Sequence, residues 1–236
     1  GRTDAVQTTG YLIGRIAKFT AGMQDRIDDT DRRNFFGGMQ IDRNTATIIL
    51  NADATILLQC DMYFTAITGE MLVDIGTNCE IIFRTREKLY STAAAAGPAF
   101  EGAGIECGCR AAPGAIDHWF ADGSWSVLGG VDPVGLCGSA LIDFLAVMRE
   151  GGRLNEFGRL EPAAKSFPVA PGLAIHEWEI AQLLKAKAAV RAGIATLAAY
   201  CRTPVKKLFL AGGFARYLDF GNAVACGMLP DCELEA

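Results

Sequence analysis

Met71-Leu72-Val73-Asp74-Ile75-Gly76-Thr77-Asn78 is the stretch on which the reading of the fold turns. Residues 71–75 are apolar except for one acid, the pattern of a buried strand. Gly76-Thr77-Asn78 supplies a tight polar turn, and Glu80-Ile81-Ile82-Phe83 resumes the strand pattern, so a β-hairpin is predicted here. An acid at the end of a buried strand, followed by Gly and Thr, suits phosphate. Gly lets backbone N–H groups approach phosphate oxygens, Thr77 and Asn78 add donors, and Asp74 can reach a Mg²⁺ ion or its waters. Asp and Gly also fill ordinary hairpin turns, so this motif taken singly leaves a plain turn open.

Three further glycine-rich motifs follow. Ala95-Ala96-Gly97-Pro98-Ala99-Phe100-Glu101-Gly102 has Glu101 as its only ionisable group. Such an acid is either exposed at a turn or aimed at a ligand. Gly135-Leu136-Cys137-Gly138-Ser139 opens an apolar helix running to about Met148, and its glycines permit close packing against a helix or a ligand. Lys207-Leu208-Phe209-Leu210 is a predicted strand that meets Ala211-Gly212-Gly213-Phe214. Two glycines there let the chain lie flat against a planar group, with a helix start facing phosphate. A simple strand-to-helix turn accounts for the same residues.

The connecting segments complete the outline. Residues 176–201 carry Ile180, Leu183, Leu184, Ala188, Ile194 and Leu197 near helical spacing and predict one long helix. Residues 151–174 read as a surface excursion, and residues 222–228 as a short final helix. Towards the N-terminus the pattern weakens. Residues 45–50 and 55–58 are plausible strands, residues 11–19 a strand or short helix, and residues 25–33 a solvated charge run.

Composition narrows the function classes. Of the 236 residues, 50% are hydrophobic and 21% charged, enough apolar material for a real core. A net charge of -5 argues against a nucleic-acid partner, which needs a basic face. No apolar run approaches the roughly 18 to 20 residues of a membrane span, and a signal-peptide layout is missing, so a cytoplasmic location is expected. The eight cysteines include no C-x-x-C, and only Cys107 and Cys109 stand close together. Their spacing predicts buried free thiols rather than a metal or cluster site.

The order of the motifs adds what none carries alone. A phosphate hairpin, a Gly-rich helix start about 60 residues later and a terminal strand–Gly–Gly–helix follow the layout of the actin, Hsp70 and sugar-kinase superfamily. In detail, Val73 to Asn78, Ala96 to Gly102, Arg110-Ala111-Ala112-Pro113-Gly114-Ala115-Ile116, Cys137-Gly138-Ser139, Leu141-Ile142-Asp143, Ala188-Ala189-Val190-Arg191-Ala192-Gly193-Ile194 and Leu210 to Phe214 resemble the ATPase domain of corrinoid-activating proteins. The resemblance covers residues 71–230 almost continuously. It departs at Cys79, where the family pattern has Gly, at Cys109, where it favours Met, and at Ala215-Arg216, where Gly-Asn is typical. Residues 1–6 look like the tail of a first phosphate hairpin without its leading Asp, and residues 9–23 like the following strand, with connections too short.

The resemblance implies an α/β, actin-like (ribonuclease H-like) ATPase fold of mixed sheets flanked by helices, with its N-terminal half abbreviated. Residues 1–70 would be a partial first subdomain, and residues 71–236 a second one holding the phosphate hairpin and adenosine loop. It implies ATP-dependent reductive activation of a corrinoid protein, Co(II) to Co(I). Asp74 would serve the metal and catalysis, and Glu101 would position the attacking water or the metal. Gly76, Thr77, Asn78, Gly97, Gly138, Ser139, Gly212, Gly213 and Phe214 would hold the nucleotide. ATP and Mg²⁺ are the implied cofactors, and a corrinoid protein and an electron donor the implied partners. An iron–sulfur cluster is expected elsewhere in the full protein or in a partner, and a homodimer is left open. The rival readings are a small-molecule kinase of the same superfamily and a pseudo-ATPase that serves as a protein-binding module.

Overall fold

The structure, a computed structural model, describes residues 39–41, 68–86 and 89–235. The expectations for residues 1–6, 9–23, 25–33, 45–50 and 55–58 lie outside these. The described elements run β1 (Met39–Ile41), β2 (Glu70–Ile75), β3 (Cys79–Arg84), β4 (Leu89–Ala94), β5 (Ala115–Trp119), β6 (Trp125–Val127) and β7 (Gly135–Leu136). There follow α1 (Gly138–Glu150), β8 (Ser166–Ala170), β9 (Leu173–His176), α2 (Glu177–Cys201), β10 (Lys207–Ala211), α3 (Phe220–Ala225) and β11 (Glu233–Glu235).

Six strands form one mixed sheet in the order β1-β4-β3-β2-β10-β11. The predicted hairpin is present: β2 and β3 pair antiparallel with Asp74 opposite Glu80 and Ile75 opposite Cys79. β10 lies parallel beside β2, with Leu210 opposite Val73 and Ala211 opposite Asp74, so the C-terminal ends of the two strands finish at the same edge. β1 precedes the boundary expected at residue 70, and it pairs antiparallel with β4.

Alternation decides which side of the sheet is core. Met71, Val73, Ile75, Ile81 and Phe83 join Ile180, Leu183, Val190, Ile194 and Leu197 of α2 in one buried cluster. Gly193 lies where the helix leans on the sheet: a Cβ there would lie 2.6 Å from Ile81 Cδ1 and 3.1 Å from Ala94 Cβ, so the Ile81 side chain would have to turn aside. Helix α2 matches the long helix read from periodicity. Glu179 accepts the N–H of His176 at 2.6 Å, which closes its first turn. Arg202, at φ 48°, ends it ahead of Pro204.

Helix α1 is buried on nearly every side, from Gly138 to Ala146 and again at Met148, so no polar face shows in its sequence. Strands β5, β6 and β7 form a second sheet beside it. Trp119, Phe144 and Phe167 pack there with ring centroids 5.6 to 6.1 Å apart.

Two readings need correction. Residues 151–174 are more than a surface excursion, because they bury Leu154, Leu160 and Val169 in the core and enter the β8–β9 hairpin. Trp119 Nε1 donates to the Val169 carbonyl at 3.1 Å, which ties that hairpin to β5. The final helix starts earlier than residue 222, because Asp219 caps it by accepting the Asn222 N–H at 2.8 Å, and Gly227 at φ 77° stands just beyond its end. Among the described residues no helix is long and apolar enough to cross a membrane.

Candidate functional site

Four motifs separated by up to 140 positions meet at one edge of the six-stranded sheet. The β2–β3 turn is closed by Gly76 N–H donating to the Asn78 carbonyl at 3.2 Å. The Thr77 carbonyl accepts the Gly97 N–H at 2.9 Å, so the hairpin tip is bound to the second motif through its backbone. Thr77 Oγ1 also donates to Glu101 Oε1. The Arg110 guanidinium lies 3.7 Å from the other Glu101 oxygen, with most of its side chain in solvent.

Residues 98–101 form a single 3-10 turn. It is pinned from behind: a Cβ on Gly102 would fall 2.5 Å from the Cys109 amide nitrogen, so only glycine lets these backbones touch. Gly138 has the same role on the far side. A Cβ there would meet the Phe100 carbonyl oxygen at 2.4 Å and the Phe214 ring at 2.6 Å. Phe100 and Phe214 stack with centroids 5.3 Å apart and planes 22° apart. Gly138, Phe100 and Phe214 thus join the third motif to the second and the fourth.

Asp74 sits under the turn that follows β10. Gly212 adopts φ 88°, and a Cβ there would lie 2.4 Å from Asp74 Oδ1. Glycine answers both demands, the left-handed backbone and the lack of space above the carboxylate. Glu80 faces Asp74 across the ladder, and like charges directly opposite one another are unfavourable without a counter-ion. Burial and then the Asp74 charge push the Glu80 carboxyl above its ordinary range. Burial, with Glu80 and Asp74 adding to it, pushes the neighbouring Cys79 thiol up to about 12.

Asn78 and Gly213 are exposed, Gly76 and Gly97 half-buried, and Phe214 half-buried against Phe100. Ser139 is placed differently. It is buried, and its hydroxyl donates to the Asp117 carbonyl at 2.7 Å with Cys137 Sγ at 3.2 Å, so it braces α1 from inside.

Glu80, Arg110 and the Phe100 ring had no role assigned from sequence. Hairpin symmetry contained a signal for the first, since Asp74 and Glu80 lie three positions either side of Thr77. Nothing local marks Arg110, which reaches Glu101 only through the loop closed at Gly102 and Gly108.

Asp74 and Glu80 suit a hard divalent cation held also by phosphate oxygens and water, which needs only one or two protein carboxylates. Among the described residues no group of three or more His, Cys, Asp or Glu side chains is arranged to hold a metal on its own. The described cysteines are free thiols.

The family model for the C-terminal, ASKHA domain of RACo matches residues 68–236. The chain is 29% identical over 195 residues to the corrinoid activation enzyme RamQ of Eubacterium limosum, covering 69% of this chain and 33% of that protein. It is 27% identical over 209 residues to the [Co(II) methylated amine-specific corrinoid protein] reductase of Methanosarcina barkeri, covering 77% and 38%. A solved structure, a reductive activator for corrinoid, iron–sulfur protein, superposes with a TM-score of 0.64 at 32% identity, over 71% of this chain and 32% of that one. The chain therefore spans about a third of the length of the relatives it matches. With its hairpin, glycine contacts and mixed sheet in the arrangement described above, the chain belongs to the family of RACo C-terminal ASKHA domains.

Proposed function

We propose that this chain is the nucleotide-handling part of an ATP-dependent reductive activator, which returns a corrinoid protein from Co(II) to Co(I). The observation that carries this reading is the meeting of the phosphate hairpin, Glu101 and the Gly212 turn at one sheet edge. The names of the relatives support the corrinoid partner.

Each residue then has a task. Gly76, Thr77 and Asn78 present donors to the β- and γ-phosphates, and Gly97 holds the hairpin tip through the Thr77 carbonyl. Asp74 and Glu80 would hold Mg²⁺, which would offset the phosphate charge. Gly212, Gly213 and Phe214 form the adenosine side, and Gly138 and Ser139 support it from α1. Glu101 orients water for attack on the γ-phosphate. A single electron reduces Co(II) to Co(I). It comes from a donor outside this chain, through an iron–sulfur cluster in the full protein or in a partner.

The test uses the complete protein with its corrinoid partner in the Co(II), Co(I) and methylated states. ATP turnover is expected to rise with the Co(II) form and to change little with the methylated form. A partner can shift a conformational equilibrium only through differential affinity for its two states. Equal stimulation by every state sinks the activator reading. If no ATP or ADP binds at all, a protein-binding module is left.

A further inference from the structure

The Thr77–Glu101 contact joins a phosphate-binding residue to the proposed water-orienting carboxylate, and the two roles compete for one proton. A threonine hydroxyl carries a single O–H and can donate to one acceptor at a time. In this structure that proton goes to Glu101 Oε1. If the hairpin delivers Thr77 to a phosphate, as its backbone arrangement suits, the hydroxyl must leave Glu101. Among the described residues the carboxylate then retains only Arg110, 3.7 Å away and largely in solvent.

We propose that the Thr77–Glu101 hydrogen bond is a latch opened by the terminal phosphate of a nucleoside triphosphate, freeing the Glu101 carboxylate to take a proton from water only when that phosphate is in place. The proposal rests on the nucleotide-handling role above and adds its regulation. Three features build the latch. The Gly97 N–H to Thr77 carbonyl bond keeps the hairpin tip beside the 98–101 turn whichever acceptor the hydroxyl has. The Gly102 contact with the Gly108–Cys109 backbone holds that turn in place, so the exchange needs only side-chain rotation. Thr77 is exposed, so its hydroxyl can turn without disturbing the core.

The chemistry balances within the site. The water oxygen forms a bond to the γ-phosphorus, the bond from that phosphorus to the ADP oxygen breaks, and the water proton passes to Glu101. Without the terminal phosphate, Thr77 stays on Glu101 and engages Oε1, one of the two carboxylate oxygens. The latch thus keeps that oxygen from a water proton in the empty and diphosphate-bound states.

Thr77→Val and Glu101→Gln, singly and together, test this by calorimetry with ATP and ADP on the complete protein, circular dichroism confirming that each variant is folded. Glu101→Gln replaces a charge-assisted hydrogen bond with a weaker neutral one, so opening costs less. ATP should bind about three- to tenfold tighter to Glu101→Gln than to the parent, and the ADP affinity should change by less. In the Thr77→Val background, which has no hydroxyl to release, the same substitution should lose most of that gain. Removing a negative charge near phosphate also tightens binding, but it does so in both backgrounds. An equal gain with and without the Thr77 hydroxyl, or no gain in either, overturns the latch while leaving nucleotide binding intact. A parent protein that binds neither ATP nor ADP removes the functional reading itself, and the latch with it.

Discussion

Two carboxylates in this molecule are held in opposite ways. Asp143, on α1, is 1% exposed and has three partners on two elements: His118 Nδ1 at 3.0 Å and the Trp119 N–H at 3.2 Å on β5, and Asn222 Nδ2 at 2.7 Å on α3. Glu101 is partly exposed and has, among the described residues, one hydroxyl donor and one distant guanidinium. Burial raises the Asp143 carboxyl, and its three donors oppose that shift without cancelling it. A buried acid must keep every donor, because leaving it unpaired in low dielectric is expensive. A carboxylate at the surface can exchange partners because water is at hand. The Asp143 network is therefore architecture that ties α1 to β5 and α3, whereas the Glu101 contact can exchange, as the proposed latch requires.

The comparison predicts its largest effect at the architectural site. Asp143→Ala should cost about 4 kcal/mol in denaturant unfolding, since three donors from two elements lose their acceptor at once. A cost below about 1 kcal/mol would mean that the network is ornamental, and the contrast would collapse. Glu101→Gln should reverse the balance, lowering ATP turnover about a hundredfold, roughly 3 kcal/mol, with unfolding free energy unchanged within about 0.5 kcal/mol. Steady-state hydrolysis and a denaturation curve on the same preparation give both halves.

Cys79, buried beside Asp74, sharpens the comparison by pH. Its folded pKa of about 12 stands above the ordinary 9.0, so the folded state keeps a proton that the unfolded state loses between those values. Stability from this group is complete below pH 9 and falls as pH rises towards 12. Between pH 8 and pH 10.5 the parent should lose about 2 kcal/mol more stability than Cys79→Ala. Parallel stability–pH curves for the two proteins would show that the hairpin is wet at its base. The smallest effect belongs to Arg110→Ala. A mostly exposed ion pair at 3.7 Å should change unfolding free energy by less than about 0.5 kcal/mol, leaving Thr77 as the residue that holds Glu101. A larger change would transfer that holding role to Arg110.

Much of the candidate site was legible because it is built from backbone. Gly76, Gly97, Gly138 and Gly212 were visible as interruptions of apolar runs, and the structure uses Gly138 and Gly212 where a Cβ would collide. Ser139 carried the same local signal, yet its hydroxyl is turned inward to Asp117. A helix-start pattern cannot say which way a hydroxyl points. Strand β5 was missed because Asp117 and His118 interrupt the apolar pattern between Ile116 and Trp119. Their polar groups are satisfied by Ser126 and by Asp143, far away in sequence.

The sequence by itself determined the local elements: the hairpin centred on Thr77, the long helix ending before Pro204, the strand that meets Gly212-Gly213, and the order in which they come. Periodicity and turn chemistry act over a few residues, and a few residues suffice to read them. Only the tertiary structure decided that Glu80 faces Asp74, that Phe100 stacks on Phe214, that Asp143 belongs to the frame, and that Thr77 spends its one proton on Glu101. Those pairings depend on register and on the packing of distant segments against a shared core. Whether a given carboxylate ends in water or in the interior is settled only when that core closes.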